Sequence, residues 1–405
     1  MPRVAPLAGI RVADFTWVWA GPFCSLQLAQ LGAEVIRIET RSRICVTRLL
    51  PPWAGGEAGI NRSGYFNQYN QGKLSLSLDL KKPEAIRVAK DLVAKSDIVC
   101  ENFACGVMDR LGLGYDALCQ IKPDLIMISL SGYGATGPER RFVSYGPAQV
   151  PLSGMSSLTG YAEWPPMHVG ISYGDPNGGL HGAFAILAAL LYRARTGKGQ
   201  YIDLSQLETT IALLPEGMMD QVMNQRQPPR AGNRDPYMAP HGVFRCAGAD
   251  RWVAITVRSD GEWRRLAELM GESELATDVR FATVQGRKEH EDALEEAVTN
   301  WTRQHTPEEV TARLQSARIP GFPSMTNKDL AADAHLLSRD FFVHLAHPEV
   351  GVKQHIGIPW KFSGSPLAVR RPAPCLGEQT DYVVREILGY SVEETDQLRA
   401  AEVLY

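Results

Sequence analysis

The sequence predicts an open α/β sheet built from parallel βαβ units, followed by a second, smaller α+β domain. Three observations carry that expectation. Over the first half of the chain, short β-branched apolar runs alternate with stretches of helical period. After Leu213 the texture changes, and a polar, proline-bearing stretch, QRQPPRAG at 225–232, reads as a linker. Beyond it a short β pattern leads into amphipathic helices.

Residues 10–15 are the first strand candidate, and 22–31 carry apolar residues at helical spacing. Residues 35–39 are a second strand. The alternation across 75–80 reads as a third, and 83–95 as a helix with proline in its first turn. Residues 97–101 and 125–130 close the series as buried strands. An Ala/Leu-rich helix over 182–195 is stopped by TGKG at 196–199. In the second domain 243–246 and 252–257 are strand patterns, with helices at 261–270, 289–304 and 307–317. Beyond Pro320 the signals are those of loops, up to a terminal helix at 378–389. The chain thus divides into a large domain over 1–213, a linker over 214–232, a small domain over 233–330 and a final segment over 331–405.

Composition narrows the class. At 405 residues, 44% apolar and 21% charged, the chain has core for two or three domains. A formal net charge of −3, from 42 Lys+Arg against 45 Asp+Glu, argues against a nucleic-acid partner, which needs a basic surplus. The longest strongly apolar stretch, 183–192, is about half of the roughly 20 residues a membrane span needs. Residues 1–10 show no charged segment followed by an apolar one, so no leader is read and a cytoplasmic location is expected. The seven cysteines are odd in number and contain no CxxC pair. They read as reduced thiols rather than a disulfide frame or a zinc site. His344 and His347 lack an acidic or cysteine ligand at metal-site spacing, and no metal is expected.

One stretch matches a dinucleotide fingerprint: GYGATG at 132–137, after the strand candidate 125–130. That motif works only where a helix opens on it and aims its N-terminus at a pyrophosphate. Here PERRF follows, with no sustained helical period, and the motif lies late in the chain. Nucleotide redox binding is not read from it.

Other segments are more specific as an ordered set. PLAGIRVADF (6–15) runs into AGPF (20–23) and LGAEVIRIE (31–39). NQGK (70–73) precedes SLSLDLK (75–81), and ENF (101–103) precedes GVMDRLG (106–112). SGYG (131–134) with TGP (136–138) leads to Gly174-Asp175 and TGKGQ (196–200), and APCLG (373–377) lies near the end. In this order and spacing they closely resemble the class III coenzyme A transferases, the family of formyl-CoA transferase, carnitine CoA-transferase and the α-methylacyl-CoA racemases.

That resemblance implies a Rossmann-like large domain, a small domain, and a C-terminal segment returning to the large one. It implies two ring-shaped chains interlocked as a dimer. It implies an acyl-CoA thioester and a carboxylic acid as substrates, with no permanently bound cofactor. The transferases use an aspartate nucleophile, which passes through an aspartyl anhydride and an aspartyl-CoA thioester, and Asp175 matches it.

A carboxylate nucleophile divides one acyl exchange into easier steps, provided it is ionised and water is kept away. Gly174, Gly178 and Gly179 flank Asp175 and would let backbone amides approach a developing oxyanion. Without the family match, an aspartate before a helix reads first as an N-cap, and the two roles are compatible. The phosphates of CoA would be met locally by cations among Arg37, Arg41, Arg43, Arg48, Lys73 and Arg110, since guanidinium forks hold phosphate bidentately. Arg110, Asn102 and Phe103 match CoA-touching positions of relatives, and NQGK gives Lys73 a similar context. The TWVWA segment sets Trp17, Val18, Trp19 and Ala20 on the substrate side, together with Tyr145.

Two further readings compete. Racemases of this family carry His-Asp about eight residues before a Ser-Gly pair. Here that register, counted back from Ser153-Gly154, falls on Tyr145-Gly146, so neither half is present. The other reading is a weakly active structural subunit of a heteromer. Within the transferases, Trp17 and Trp19 replace a region where formyl-CoA transferase has a glutamine, and GNRDPYMAP (232–240) replaces its glycine tetrad. INRSGYFNQYNQG (60–72) resembles transferases that use succinyl-CoA and act on malate or benzylsuccinate.

Overall fold

The computed structural model describes residues 4–405, so the first three residues of the leader reading lie outside the described part. The chain forms two compact units. The larger comprises the residues through Ser157, His168–Gln227 and Leu337–Tyr405, and the smaller comprises Leu158–Met167 and Pro228–Leu336. No composition shift marks the crossing of 158–167 into the smaller unit.

The larger unit is built on six strands: β1 (Arg11–Asp14), β2 (Glu34–Glu39), β3 (Leu74–Ser77), β4 (Ile98–Glu101), β5 (Ile126–Ser131) and β6 (Gln200–Ser205). They pair in the order β3-β2-β1-β4-β5-β6, every neighbour parallel. This is the doubly wound order, and the order of strand addition reverses between β1 and β4. The sequence pattern finds five of these strands. It misses β6, whose first four residues are at most half-buried and so carry no continuous apolar run.

Ten helices belong to this part of the chain: α1 (Ala20–Gln30), α2 (Gly64–Tyr69), α3 (Pro83–Ala94), α4 (Val107–Arg110), α5 (Tyr115–Ile121), α6 (Gly146–Leu152), α7 (Met155–Leu158), α8 (Gly174–Thr196), α9 (Gln206–Ile211) and α10 (Pro215–Asn224). In α3, Pro83 opens the first turn, and Ala85, Val88, Ala89, Leu92 and Val93 form the buried stripe. One face of the sheet packs Ile36, Leu76, Val99 and Met127 under α3 and the C-terminal residues Val383, Leu398 and Leu404. The other face packs Val12, Val35, Ile98 and Ile128 under α1 and α8.

Helix α8 begins at Gly174, eight residues before the predicted start, so Asp175 lies in its first turn rather than ahead of it. Four glycines hide this half of the helix from a propensity reading. Each has a close neighbour: Gly174 and Gly178 face Gln149 of α6 and Gln206 of α9, while a Cβ on Gly179 would stand 2.7 Å from the Ala20 carbonyl of α1, and one on Gly182 3.1 Å from Cys24 Sγ. The first half of the expected linker is likewise helical, as α10, none of whose residues is buried.

The smaller unit has the antiparallel strands β7 (His241–Arg245), β8 (Trp252–Thr256) and β9 (Gly321–Pro323), in that order. Helices Asp260–Met270, Glu291–Thr302 and Pro307–Ser316 pack Trp263, Leu266, Leu294, Val298 and Leu314 against Val253 and Ile255. The expected loop region after Pro320 also contains a hairpin, β10 (Phe342–His347) with β11 (Gly351–Ile356), which belongs to the larger unit. The terminal helix is shorter than predicted, a π-helical turn at Tyr382–Ile387, followed by a second helix at Val392–Ala400.

Candidate functional site

The loop after β1 and the first turn of α8 meet at the C-terminal edge of the sheet. Asn102, just past β4, fastens that loop: Trp17 N donates to its Oδ1 at 2.7 Å, and its Nδ2 donates to the Trp17 carbonyl at 2.8 Å. The next residue, Val18, takes φ of +63°, a left-handed conformation unusual for a β-branched side chain. Its amide donates to Cys45 Sγ at 3.3 Å. The chain then turns into α1.

Asp175 is 7% exposed. Burial pushes its carboxyl up to about 7, while a hydrogen bond from the Ala20 amide, at the start of α1, pulls the other way. The carboxylate therefore faces the amide end of α1 from the amide end of its own helix. Gly146, the first residue of α6, lies directly against it: a Cβ there would overlap the Asp175 carboxylate.

Helix α2 supplies a wall of aromatic rings. Ser63 caps it by accepting from Phe66 N, and Tyr65 and Tyr69 lie one turn apart. The Trp19 ring packs at 5.7 Å from Tyr65 and 5.1 Å from Tyr69, and Phe23 packs at 5.7 Å from Tyr69. Burial first, and then the charge of Asp175, hold both tyrosine hydroxyls protonated above their ordinary range. The Trp19 indole nitrogen is buried with no partner among the described residues.

In front of Asp175 lies a cavity of about 290 Å³, lined by Trp17, Val18, Asn102, Phe103, Tyr145 and Gly146, with Arg43 and Arg140 at its wall. A second cavity of about 270 Å³ shares Phe103, Ala104, Cys105 and Ser131 with it. Glu101, which lines the second cavity, is pushed up to about 7 by burial, against hydrogen bonds from Ser129 and from the Phe103 amide at 2.7 Å. The first cavity sits by the β1/β4 reversal, where open α/β sheets hold their ligands, and the second continues beside β4, β5 and β6.

The structure brings together Trp17, Val18, Asn102, Phe103, Tyr145 and Asp175, with Trp19 and Ala20 beside the carboxylate. Other expected positions lie elsewhere. Lys73 is 1% exposed and its ammonium is engaged by Asp14, Pro22, Ser25 and Asn70, so it meets no phosphate. Arg48 is equally buried, its fork on both oxygens of Glu39, and Arg37 is buried beside the same carboxylate. Arg41 stacks on the ring of Tyr405 at 5.7 Å, away from the cavity walls, whereas Arg43 lies over Trp17 at 5.1 Å. Arg110 is exposed at the end of α4, near Gly106. Gly178 and Gly179 lie inside α8, where the helical ladder engages their amides, so they give no oxyanion donors. Their lack of a side chain serves packing against Gln206 and α1. Tyr65, Tyr69 and Gly146 escape residue-by-residue reading, because only the fold brings them to Asp175.

A doubly wound sheet with a buried carboxylate beside paired cavities at its C-terminal edge defines an α/β protein with a ligand site of its own. Comparison with known proteins makes the class specific. The model of CoA-transferase family III matches residues 7–380, and the chain belongs to that family. It is 32% identical over 400 residues to succinyl-CoA–D-citramalate CoA-transferase of Chloroflexus aurantiacus, covering 98% of each chain. It is 34% identical over 403 residues to the succinyl-CoA–L-malate CoA-transferase beta subunit of the same organism, again covering 98% of each. Among solved structures, a CAIB/BAIF family protein from Brucella suis superposes with a TM-score of 0.87 at 31% identity, over 95% of this chain and 100% of that one. The protein is an enzyme of the transferase class that moves coenzyme A from an acyl-CoA to a carboxylate.

Proposed function

We propose that Asp175 is the nucleophile of this transfer, that succinyl-CoA is the donor, and that the acceptor is an organic acid such as malate or benzylsuccinate. The observation that carries the reading is the setting of Asp175: a buried carboxylate, half ionised near neutrality, opening on the cavity and touched by one backbone amide. The two relatives named for succinyl-CoA support the donor, and their acids, D-citramalate and L-malate, support a small hydroxy acid as acceptor. The apolar and aromatic lining of the cavity, Trp17, Val18, Phe103 and Tyr145, supports a larger, aromatic acid as well.

The ionised carboxylate attacks the thioester carbonyl, the C–S bond breaks, and CoA leaves as thiolate from a mixed anhydride. The thiolate then attacks the aspartyl carbonyl, releasing the donor acid and leaving aspartyl-CoA. The acceptor carboxylate reverses both steps and departs as its CoA thioester, returning Asp175. Burial keeps water from the anhydride, and the Ala20 amide holds the carboxylate in place. The two adjoining cavities, which share Phe103, Ala104, Cys105 and Ser131, support an extended ligand such as a CoA thioester.

A homodimer of interlocked ring-shaped chains, working in the cytoplasm, completes the proposal. Apolar faces left open on α8 and α10 support association, and seven cysteines free of disulfides support a reducing compartment. One relative is named as a beta subunit, which favours a heteromer as the second reading. The test of the chemistry is the intact mass of the chain after incubation with succinyl-CoA, beside Asp175→Ala. A CoA adduct on the wild type alone is expected. No adduct, with solvent deuterium entering the acyl α-carbon, would replace the transfer mechanism with proton exchange.

A further inference from the structure

Beneath the nucleophile, a buried polar cluster joins the three elements that surround it. Asp14 ends β1, and its Oδ1 accepts from Thr16 N at 3.0 Å and from Thr16 Oγ1 at 2.5 Å. Its Oδ2 accepts from Ser25 Oγ at 2.6 Å, within α1, and from Lys73 Nζ at 3.3 Å. Lys73 in turn donates to the Pro22 carbonyl at 2.9 Å, to Ser25 Oγ at 2.8 Å and to Asn70 Oδ1 at 3.0 Å. Asn70 closes α2, the helix of Tyr65 and Tyr69. Asp14, Thr16, Ser25, Asn70 and Lys73 are each 1% exposed or less.

The cluster reaches Asp175 in two short steps. Thr16 packs against the first turn of α1 so closely that a Cβ on Gly21 would overlap its side chain. Ala20, the residue before, lies so close to the helix of Asp175 that a Cβ on Gly179 would stand 2.7 Å from its carbonyl, and its amide favours the ionised carboxylate. We infer that Asp14 and Lys73, acting through Thr16, are positioning residues that seat the first turn of α1 against the first turns of α8, and so set the Ala20 amide on the side of the nucleophile. The inference rests on the reading of Asp175 as nucleophile and adds what holds it. A buried ion pair with no other task is weak support for a fold, since apolar packing of equal volume stabilises as well. This one spans the loop after β1, α1 and α2, the pieces whose relative placement decides the geometry at Asp175. Fixing a reacting group within a fraction of an ångström is worth orders of magnitude in rate.

A pH profile separates aiming from mere stability. The amide favours the ionised carboxylate, so losing its alignment raises the pH at which Asp175 ionises. The charged and titratable groups around Asp175 are the Tyr65 and Tyr69 hydroxyls, with Arg43, Arg140, Cys105, Tyr133 and Tyr145 lining the cavity before it. Those around Lys73 are Asp14, Arg37 and Cys100. Thr16→Val removes one hydroxyl of the cluster and touches neither Asp175 nor the cavity lining. With succinyl-CoA and malate as substrates, the wild type should lose kcat on the acid side around pH 7. In Thr16→Val the acid limb should move up by about half a unit or more and kcat should fall about tenfold, with KM for the thioester within about threefold. Thr16→Ser should restore both. A folded Thr16→Val with a wild-type limb and kcat within about twofold would overturn the inference. Should Thr16→Val fail to fold, Ser25→Ala is read by the same criteria. Asp175→Asn tells the two failures apart: full activity there would overturn the nucleophile and its positioning together, whereas an inactive Asp175→Asn beside an unmoved Thr16→Val rejects the positioning alone.

Discussion

Asp175 is held where burial and a helix terminus pull in opposite directions, and burial wins. A group with these properties costs stability. Unfolded, the carboxyl ionises near 3.8, and folded it ionises near 7, so between those values the folded chain holds a proton that the unfolded chain has released. Stability from this group therefore falls as the pH rises from about 4 to about 7, and stays lowered above that. At about 1.4 kcal/mol per pKa unit, the cost at pH 8 is a few kcal/mol at most. Asp175→Asn, which carries no charge at any pH, should melt several degrees above the wild type at pH 8. The gap should narrow as the pH is lowered to 5. A variant that melts lower at pH 8 would show instead that the anion is a net stabiliser of the fold. At this scale the sequence singles out Asp175 but not its depth or its neighbours. Lys73 reads as a phosphate ligand because charge is legible and burial is not, and its place at the head of β3 turns it inward to Asp14. Gly146 is silent in the sequence, and its meaning lies in the Asp175 oxygen that occupies its missing side chain's space.

Among the elements, α1 and α8 set the site by how closely they approach. Their contact is made by the Gly179 backbone on the Ala20 carbonyl and the Cys24 amide, the same turn of α1 that faces Asp175. Any side chain at 179 must push that turn away from the carboxylate. Gly179→Val should cost about 1–3 kcal/mol of stability by overpacking. It should lower kcat by more than that loss alone explains, since a shift of about 1 Å at a reacting group costs about a hundredfold. Thermal melting and initial rates on one preparation check both. Full activity with a lowered Tm would mean that the contact is only structural. The same contact explains where the sequence pattern succeeds and fails. Helix α3 and the central strands carry dense apolar repeats and are legible. The N-terminal half of α8 is written in glycines whose reason is another helix. The hairpin of β10 and β11 buries only Leu345, His347 and His355, too little apolar alternation to announce itself.

For the whole molecule, what is left open matters as much as what is packed. Helix α10 turns Met218, Met219, Val222 and Met223 to one side, with Met223 72% exposed, and buries none of its ten residues. A helix of that length is marginal in water without a packed face. Helix α8 shows a second uncovered stripe, Leu180, Phe184, Leu187 and Leu191, spaced to lie along one face, with Phe184 74% exposed. Soluble monomers rarely leave contiguous apolar surface of this kind uncovered, and interfaces that hold two chains bury about 1,200 Å² or more. The proposed dimer answers both stripes at once. In solution the protein should therefore scatter light as twice its 44.6 kDa, with no concentration dependence down to the micromolar range. A charge on each helix, Phe184→Asp with Met223→Asp, should release folded monomer or leave the chain insoluble, whereas a change at the exposed and unrelated Val279 should do neither. If the wild type runs as a monomer, the open stripes must be covered by a different chain. Co-expression with a related transferase chain, read by light scattering and initial rates, would then be the check.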